Sequence, residues 1–154
     1  MNQAASSRSE EENMQGYNCI MVFDKEEEHL LFCKRLWDPY EGKYNLVGGK
    51  IDEGEDGFHA AYRELCEETG ITDEDIELIH MMDFTYYNQG CYVEVYVGTL
   101  LNDVELVPED HPLCWLPLDG DFFDLDKYAG EGNIGHMLEQ ARDYGVGGKR
   151  KQNI

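Results

Sequence analysis

The sequence predicts an α/β (α+β) fold, a mixed sheet with one helix layer on each side. Three observations lead there. Residues 91–101, CYVEVYVGTLL, set Tyr92, Glu94 and Tyr96 against Val93, Val95 and Val97, the period of two that marks a strand. Residues 58–70 and 132–144 instead space their apolar side chains three and four apart, as an amphipathic helix does. Short apolar runs flank the first of these helices on both sides, and the second closes the chain.

Taken in order, YNCIMVFD (17–24) is β-branched and aromatic and reads as a strand. The polar turn DKEEEH leads to its hairpin partner, HLLFCKRL (29–36). Pro39 and Gly42 punctuate the loop that follows, and YNLV (44–47) is a short strand ending at Gly48-Gly49. FHAAYRELCEETG enters a helix after Asp56-Gly57 and stops at Gly70. On it Phe58, Ala61 and Leu65 share a face that can pack on a sheet. Residues 76–87 and 91–101 form a second hairpin around Asn88-Gln89-Gly90, and LCWLPL (113–118) is a further strand. Ile134, Met137, Leu138 and Ala141 define the last helix. A polar arm over 1–15 and a frayed tail over 147–154 bracket a single domain, 16–146.

Composition bounds the function. The 154 residues carry 33 acids against 12 bases, a formal charge of -21. Such a chain has little with which to displace counterions from nucleic acid, and it gains nothing from an anionic membrane. An anionic substrate would need a divalent metal to screen its approach. Lys34, Arg35, Lys43, Lys50 and Arg63 gather near the acidic stretch, where some can form a basic lip for a phosphate chain. The five cysteines include no C-x-x-C pair, so neither a disulfide framework nor a zinc knuckle is indicated. Most read as small buried residues. No apolar run reaches the ~18 residues of a membrane span, and the N-terminus lacks the apolar core of a signal peptide, so the cytoplasm is the expected compartment.

The chemistry concentrates in GGKIDEGEDGFHAAYRELCEETGI (48–71). Glu64, Glu67 and Glu68 lie at i, i+3 and i+4 and so share a helix face other than the apolar one. Like charges at that spacing destabilise a bare helix by roughly 0.2–0.5 kcal/mol per pair. A hard divalent cation offsets this, since magnesium takes carboxylate oxygens and completes its shell with water and substrate phosphate. Spacing alone leaves a solvated acidic face equally open. Arg63 can pair with one carboxylate and fix its rotamer. Gly48, Gly49, Gly54 and Gly57 allow the preceding backbone to approach a ligand closely.

Gly49, Glu55 and Arg63-Glu64-Leu65-Cys66-Glu67-Glu68-Thr69-Gly70-Ile71 meet every defined position of the Nudix box, G-x5-E-x7-R-E-U-x-E-E-x-G-U. The chain from about 17 to 143 thus resembles the Nudix hydrolases, MutT-like members in particular. The resemblance implies that family's α/β/α sandwich and cleavage of a nucleoside diphosphate linked to another group, with Mg2+ or Mn2+. It places the metal on Glu64, Glu67 and Glu68, with the Gly48 carbonyl a further ligand. Arg63 would orient Glu64, and Glu55 would support the loop from behind. Glu109, six residues before Trp115, matches a glutamate that binds metal or acts as base in MutT-like members, with Asp110 its rival and Glu68 the other candidate base.

KYNLVGGK resembles the lead-in of MutT-like purine triphosphate hydrolases, including those acting on 8-oxo-dGTP, although Tyr44 stands where they carry Trp. This makes Asn45 and Asn133 candidate base readers, and Lys50 and Arg35 candidate phosphate contacts. The aromatic run Phe84 to Tyr87 offers either stacking or sheet core. The leading expectation is cleavage of a nucleoside triphosphate to monophosphate and pyrophosphate. Hydrolysis of ADP-ribose or a similar nucleotide is the alternative, and a non-catalytic nucleotide-binding module is the reading from another class. The partner is a small nucleotide, on a monomer or homodimer. Gly130-x-Gly132-x-x-Gly135 follows no strand and fails as a dinucleotide fingerprint. His59 is expected at the surface, off the carboxylate face.

Overall fold

The computed structural model describes residues 14–147. In chain order it comprises β1 (Gln15–Phe23), β2 (His29–Lys34), β3 (Tyr44–Asn45), α1 (Gly57–Thr69), β4 (Ile79–Tyr86), a 3-10 turn (Tyr87–Gln89), β5 (Cys91–Thr99), β6 (Leu113–Pro117) and α2 (Asn133–Asp143). Each predicted element is present. Strand ends differ by a few residues: β1 starts two residues earlier, at Gln15, and Arg35 and Leu36 leave β2 for the loop. Most of the expected arm and tail lies outside the described residues.

The sheet runs β3-β2-β1-β5-β4, with β6 also paired to β2. It is mixed because β1 and β5 are parallel over nine residue pairs, whereas β1–β2, β2–β6 and β4–β5 are antiparallel. The β1–β2 hairpin is tied at its turn. The Asp24 carboxylate accepts from the Glu28 and His29 backbone N–H groups at 2.7 and 2.9 Å. Beyond Phe23 and Leu30 the two strands part, and residues 44–51 fill the wedge between them. One edge of this wedge pairs with β2, Cys33 opposite Asn45. The other pairs with β1, where Ile20 N donates to Val47 O and Asn18 N to Gly49 O at 2.8 and 2.9 Å.

Alternation along β1 sorts the core into two layers. Ile20 and Val22 pack with Leu31, Val47, Ala61, Leu65 and Ile71 on the α1 side. Met21 and Phe23 pack with Leu30, Phe32, Ile134, Met137 and Leu138 on the α2 side. The result is the expected α/β/α sandwich. Leu65 is fully buried, which stabilises by about 1.5–3 kcal/mol relative to exposure. Phe58 departs from expectation. It stays 41 % exposed, its ring edge-on to Tyr96 of β5 and His80 of β4.

Asp56 caps α1, accepting from the His59 N–H at 3.3 Å, and Gly70 ends it in a left-handed conformation with its N–H on the Cys66 carbonyl at 2.9 Å. At the other side of the wedge, Tyr44 bonds through its backbone to Lys127 and Ala129. That bond sets the segment leading into α2 beside β3. The cysteines are all free, as expected, but only Cys33 is buried. Cys19, Cys91 and Cys114 are half-buried and Cys66 is exposed on α1, since it lies off the face that packs on the sheet. No helix of the described residues is long and apolar enough to cross a membrane.

Candidate active site

The wedge and α1 meet at Gly48-Gly49. Val47 and Gly49 face β1 with their carbonyls, so Gly48 between them turns its N–H the other way and gives it to Glu68 Oε2 at 3.1 Å. There is no room for side chains here. A Cβ at Gly48 would run into the Asn18 carbonyl, and one at Gly49 into the Glu64 carboxylate. Gly48 also has φ +145°, which favours glycine. The described residues donate no hydrogen bond to the Gly48 carbonyl.

Arg63 organises the acidic helix. Its Nε and Nη2 donate to the two oxygens of Glu55 at 2.7 and 2.8 Å, a bidentate pair. Nη2 also donates to the Lys50 carbonyl at 3.0 Å, which ties the loop to the helix. Nη1 reaches Glu64 at 3.1 Å and Glu67 at 3.2 Å. The guanidinium holds Glu55 down at about 2, with its bonds to Asp52 and His59 adding to this. Among the described residues no three His, Cys, Asp or Glu side chains are gathered into a metal shell. Glu64 and Glu67 turn to Arg63 instead.

Two carboxyls of the site are raised by burial. Burial pushes Glu68 up to about 7, and Glu64 and Glu109 add to the rise, against the opposing Gly48 N–H and Arg35. Burial likewise raises Glu64, with Glu67 and Glu109 contributing, although Arg63 opposes. Glu109, Asp110 and His111 line a small pocket with Glu68 and Cys33. The loop before β6 therefore does bring Glu109 to the carboxylate helix, and brings its rival Asp110 with it.

A cleft leads away from Glu68. Gly48, Gly49, Arg35, Asn18 and Asn45 line its first part. Tyr17, Cys19, Pro39, Tyr40, Asn45 and Leu46 continue into a second part of about 390 Å³, closed by Tyr86, Glu131 and Asn133. That volume is in the range of small-ligand pockets. Asn45 Oδ1 accepts from the Leu46 N–H at 2.9 Å, so its Nδ2 is the group left for the cleft. Asn133 Nδ2 donates to the Tyr86 hydroxyl at 2.8 Å, leaving Oδ1. Tyr40 donates to Glu131 across the cleft at 3.4 Å.

Of the predicted site residues, Gly48 is bonded to Glu68, Glu109 shares a pocket with Glu68, and Glu55, Glu64 and Glu67 are all bonded to Arg63. Asn45, Asn133 and Arg35 line the cleft. Lys50 is exposed and does not line it. Lys43 bonds the Leu125 carbonyl and Lys34 lies over the Tyr44 ring, so the basic lip reduces to Arg35. Three cleft residues escaped the sequence reading: Asn18, Tyr40 and Glu131. Glu131 sits inside the glycine pattern that failed as a dinucleotide fingerprint. His59 is exposed, as expected, and bonds Glu55 at 2.9 Å.

The family model described as NUDIX domain matches residues 13–129. An oxidized purine nucleoside triphosphate hydrolase of Danio rerio is 31% identical over 86 residues, 56% of this chain and 52% of that protein. The match thus spans about half the length of that relative. The mouse protein of the same name is 26% identical over 119 residues, 73% of this chain and 74% of its own. Among solved structures, the NUDIX domain of Shewanella oneidensis NrtR, complexed with ADP ribose, superposes with a TM-score of 0.67. It covers 86% of this chain and 89% of that one at 18% identity, a likeness of fold. With the family match spanning well over half of the sequence, the chain belongs to the Nudix family.

Proposed function

We propose that this protein hydrolyses a purine nucleoside triphosphate, guanine forms including 8-oxo-dGTP foremost, to the monophosphate and pyrophosphate, with Mg2+ or Mn2+. The carrying observation is that the hollow at Gly48 and Glu68 adjoins the one at Asn133, the two sharing Tyr17, Cys19, Pro39, Tyr40, Asn45 and Leu46. One end suits a metal-bound phosphate chain and the other a base.

The residues fit a hard divalent cation. All the donors are oxygens. Burial raises Glu68 and Glu64, which disfavours gathering their charges without a cation, and a guanidinium already bridges Glu64 and Glu67. Glu64, Glu67, Glu68, Glu109 and the Gly48 carbonyl would hold the ion. When bound, it neutralises phosphate oxygens and lowers the pKa of attacking water. Water oxygen bonds to phosphorus as the anhydride P–O bond breaks, and the water's proton passes to a carboxylate. Glu68 and Glu109 are the two candidate bases for that proton. Arg63 keeps Glu55 and the Lys50 backbone in place while this happens. Arg35 faces the phosphate chain.

At the base end Asn45 Nδ2 is left as a donor and Asn133 Oδ1 and the Glu131 carboxylate as acceptors, with Gln89 and the Tyr86 hydroxyl also in the lining. Guanine offers the complement along one edge: the O6 acceptor, then the N1–H and N2–H donors. The names of the zebrafish and mouse relatives support the same substrate class.

The test is turnover with Mg2+ on dGTP, 8-oxo-dGTP, dATP and ADP-ribose, with products separated by chromatography, for wild type and Asn133→Ala. We expect guanine nucleotides to be preferred and Asn133→Ala to raise their KM about 5- to 100-fold, the worth of one or two buried hydrogen bonds. Activity on ADP-ribose alone would overturn the base assignment. Binding of nucleotide without turnover of any would favour a binding module.

A further inference from the structure

Among the described residues, Asn18 Nδ2 is the one buried side-chain nitrogen or oxygen without a hydrogen-bond partner. We infer that Asn18 is a positioning residue of the site, its Nδ2 donating to an oxygen carried in by the divalent metal and phosphate chain. The inference rests on the metal reading above.

Asn18 is 3 % exposed, deep in the apolar strand β1. Its side chain shares a strand face with Ile20 and Val22, the face covered by α1. Asparagine in such a place is costly unless both ends of its amide are used. One end is used. Oδ1 accepts from the Gly49 N–H at 2.9 Å, while the Asn18 backbone N–H donates to the Gly49 carbonyl at 2.9 Å. Together these bonds fix Gly49 and, through it, the orientation of Gly48.

That contact also settles which way the amide points. Exchanging its O and N would set N–H against N–H at Gly49, so Nδ2 is directed away from the loop. Of the nearby carboxylates, Glu68 Oε2 accepts from the Gly48 N–H and Glu64 Oε1 from Arg63, and neither group is hydrogen-bonded to Asn18. The residue lines the cleft with Gly48, Gly49, Arg35 and Glu68. An oxygen acceptor arriving at this floor would complete the amide. Two sources share that chemistry, a phosphate oxygen and a water held by the metal.

The experiment is 1H–15N spectroscopy of the full chain, following the Asn18 side-chain amide and the Gly48 and Gly49 backbone amides. Mg2+ alone is titrated first, then Mg2+ with inorganic pyrophosphate. We expect the Asn18 amide protons to move downfield and exchange more slowly. A response to Mg2+ alone makes a metal-held water the acceptor, and a response needing pyrophosphate makes it a phosphate oxygen. Movement of Gly48 and Gly49 with a silent Asn18 amide overturns the assignment while leaving the metal site standing. Silence of all three overturns the metal reading too. As a second arm, Asn18→Asp keeps the acceptor for Gly49 and removes the donor. It should bind Mg-pyrophosphate at least tenfold more weakly with the Gly48 and Gly49 resonances in place, and unchanged binding would refute the role.

Discussion

Glu68→Gln should stabilise the metal-free protein at alkaline pH, although it removes a residue of the proposed active site. In the folded state burial raises this carboxyl from 4.5 to about 7, helped by Glu64 and Glu109. The sign follows from linkage. A raised folded pKa means that the native state holds the proton more tightly than the unfolded chain. The stabilising proton is fully present below pH 4.5 and is lost as pH rises through about 7. Between those limits wild type loses about 1.4 kcal/mol per pH unit on this account, about 3 kcal/mol in all. Glutamine stays neutral, and its side-chain oxygen can still accept from the Gly48 N–H. Urea unfolding in EDTA, from pH 4.5 to 8, measures the difference between the two proteins. The advantage of Glu68→Gln should grow with pH up to about 7 and then level off. Excess Mg2+ should reverse it at pH 8 by stabilising wild type selectively. A difference that is flat with pH, or that shrinks as pH rises, would refute the reasoning.

Two further outcomes follow from the same geometry. Glu67 is exposed and, among the described residues, is bonded to Arg63, so Glu67→Gln should cut kcat at least 100-fold, on the scale of a lost electrostatic contact to the reaction, while the unfolding midpoint stays nearly unchanged. The adjacent glycines should separate in kind. Gly48→Ala meets the Asn18 backbone and a positive φ, so it should lower unfolding stability by about 2 kcal/mol or more. Gly49→Ala meets only the flexible end of Glu64, so it should mainly displace that carboxylate and lower activity.

The fold was legible where one physical pattern dominates a stretch. Val93, Val95 and Val97 announce β5 by period, and Asp56 and Gly70 bracket α1 by capping chemistry. Strand ends were less legible because they depend on distant partners: Leu36 gives its N–H to His111, from another loop, instead of extending β2. Phe58 carried the right spacing for burial, but nothing local shows that its ring will lie half-open against His80 and Tyr96. In the site, the carboxylates and Arg63 were readable because their spacing encodes a shared helix face. Asn18 was not, since one polar residue in an apolar run does not say what it faces. Glu131 was hidden for a related reason. Its neighbours were tested against one glycine pattern, while its place in the cleft comes from the bonds between Tyr44 and residues 127–129.

The wedge between β1 and β2 also carries its own alignment lock. Ladders can slip along a neighbour, and a one-residue slip turns every side chain to the opposite face. Here the first of two successive positions of the wedge excludes a Cβ, against the Asn18 carbonyl, and the second admits one only by displacing the Glu64 carboxylate. Sliding the segment one way presents Val47 to the first position, and sliding it the other way presents Lys50 to the second. Only one alignment of residues 44–51 places glycine at both. Steric exclusion at Gly48-Gly49 therefore proofreads the pairing of this part of the sheet, and a chain that has closed around it has already aimed the Gly48 amide at Glu68.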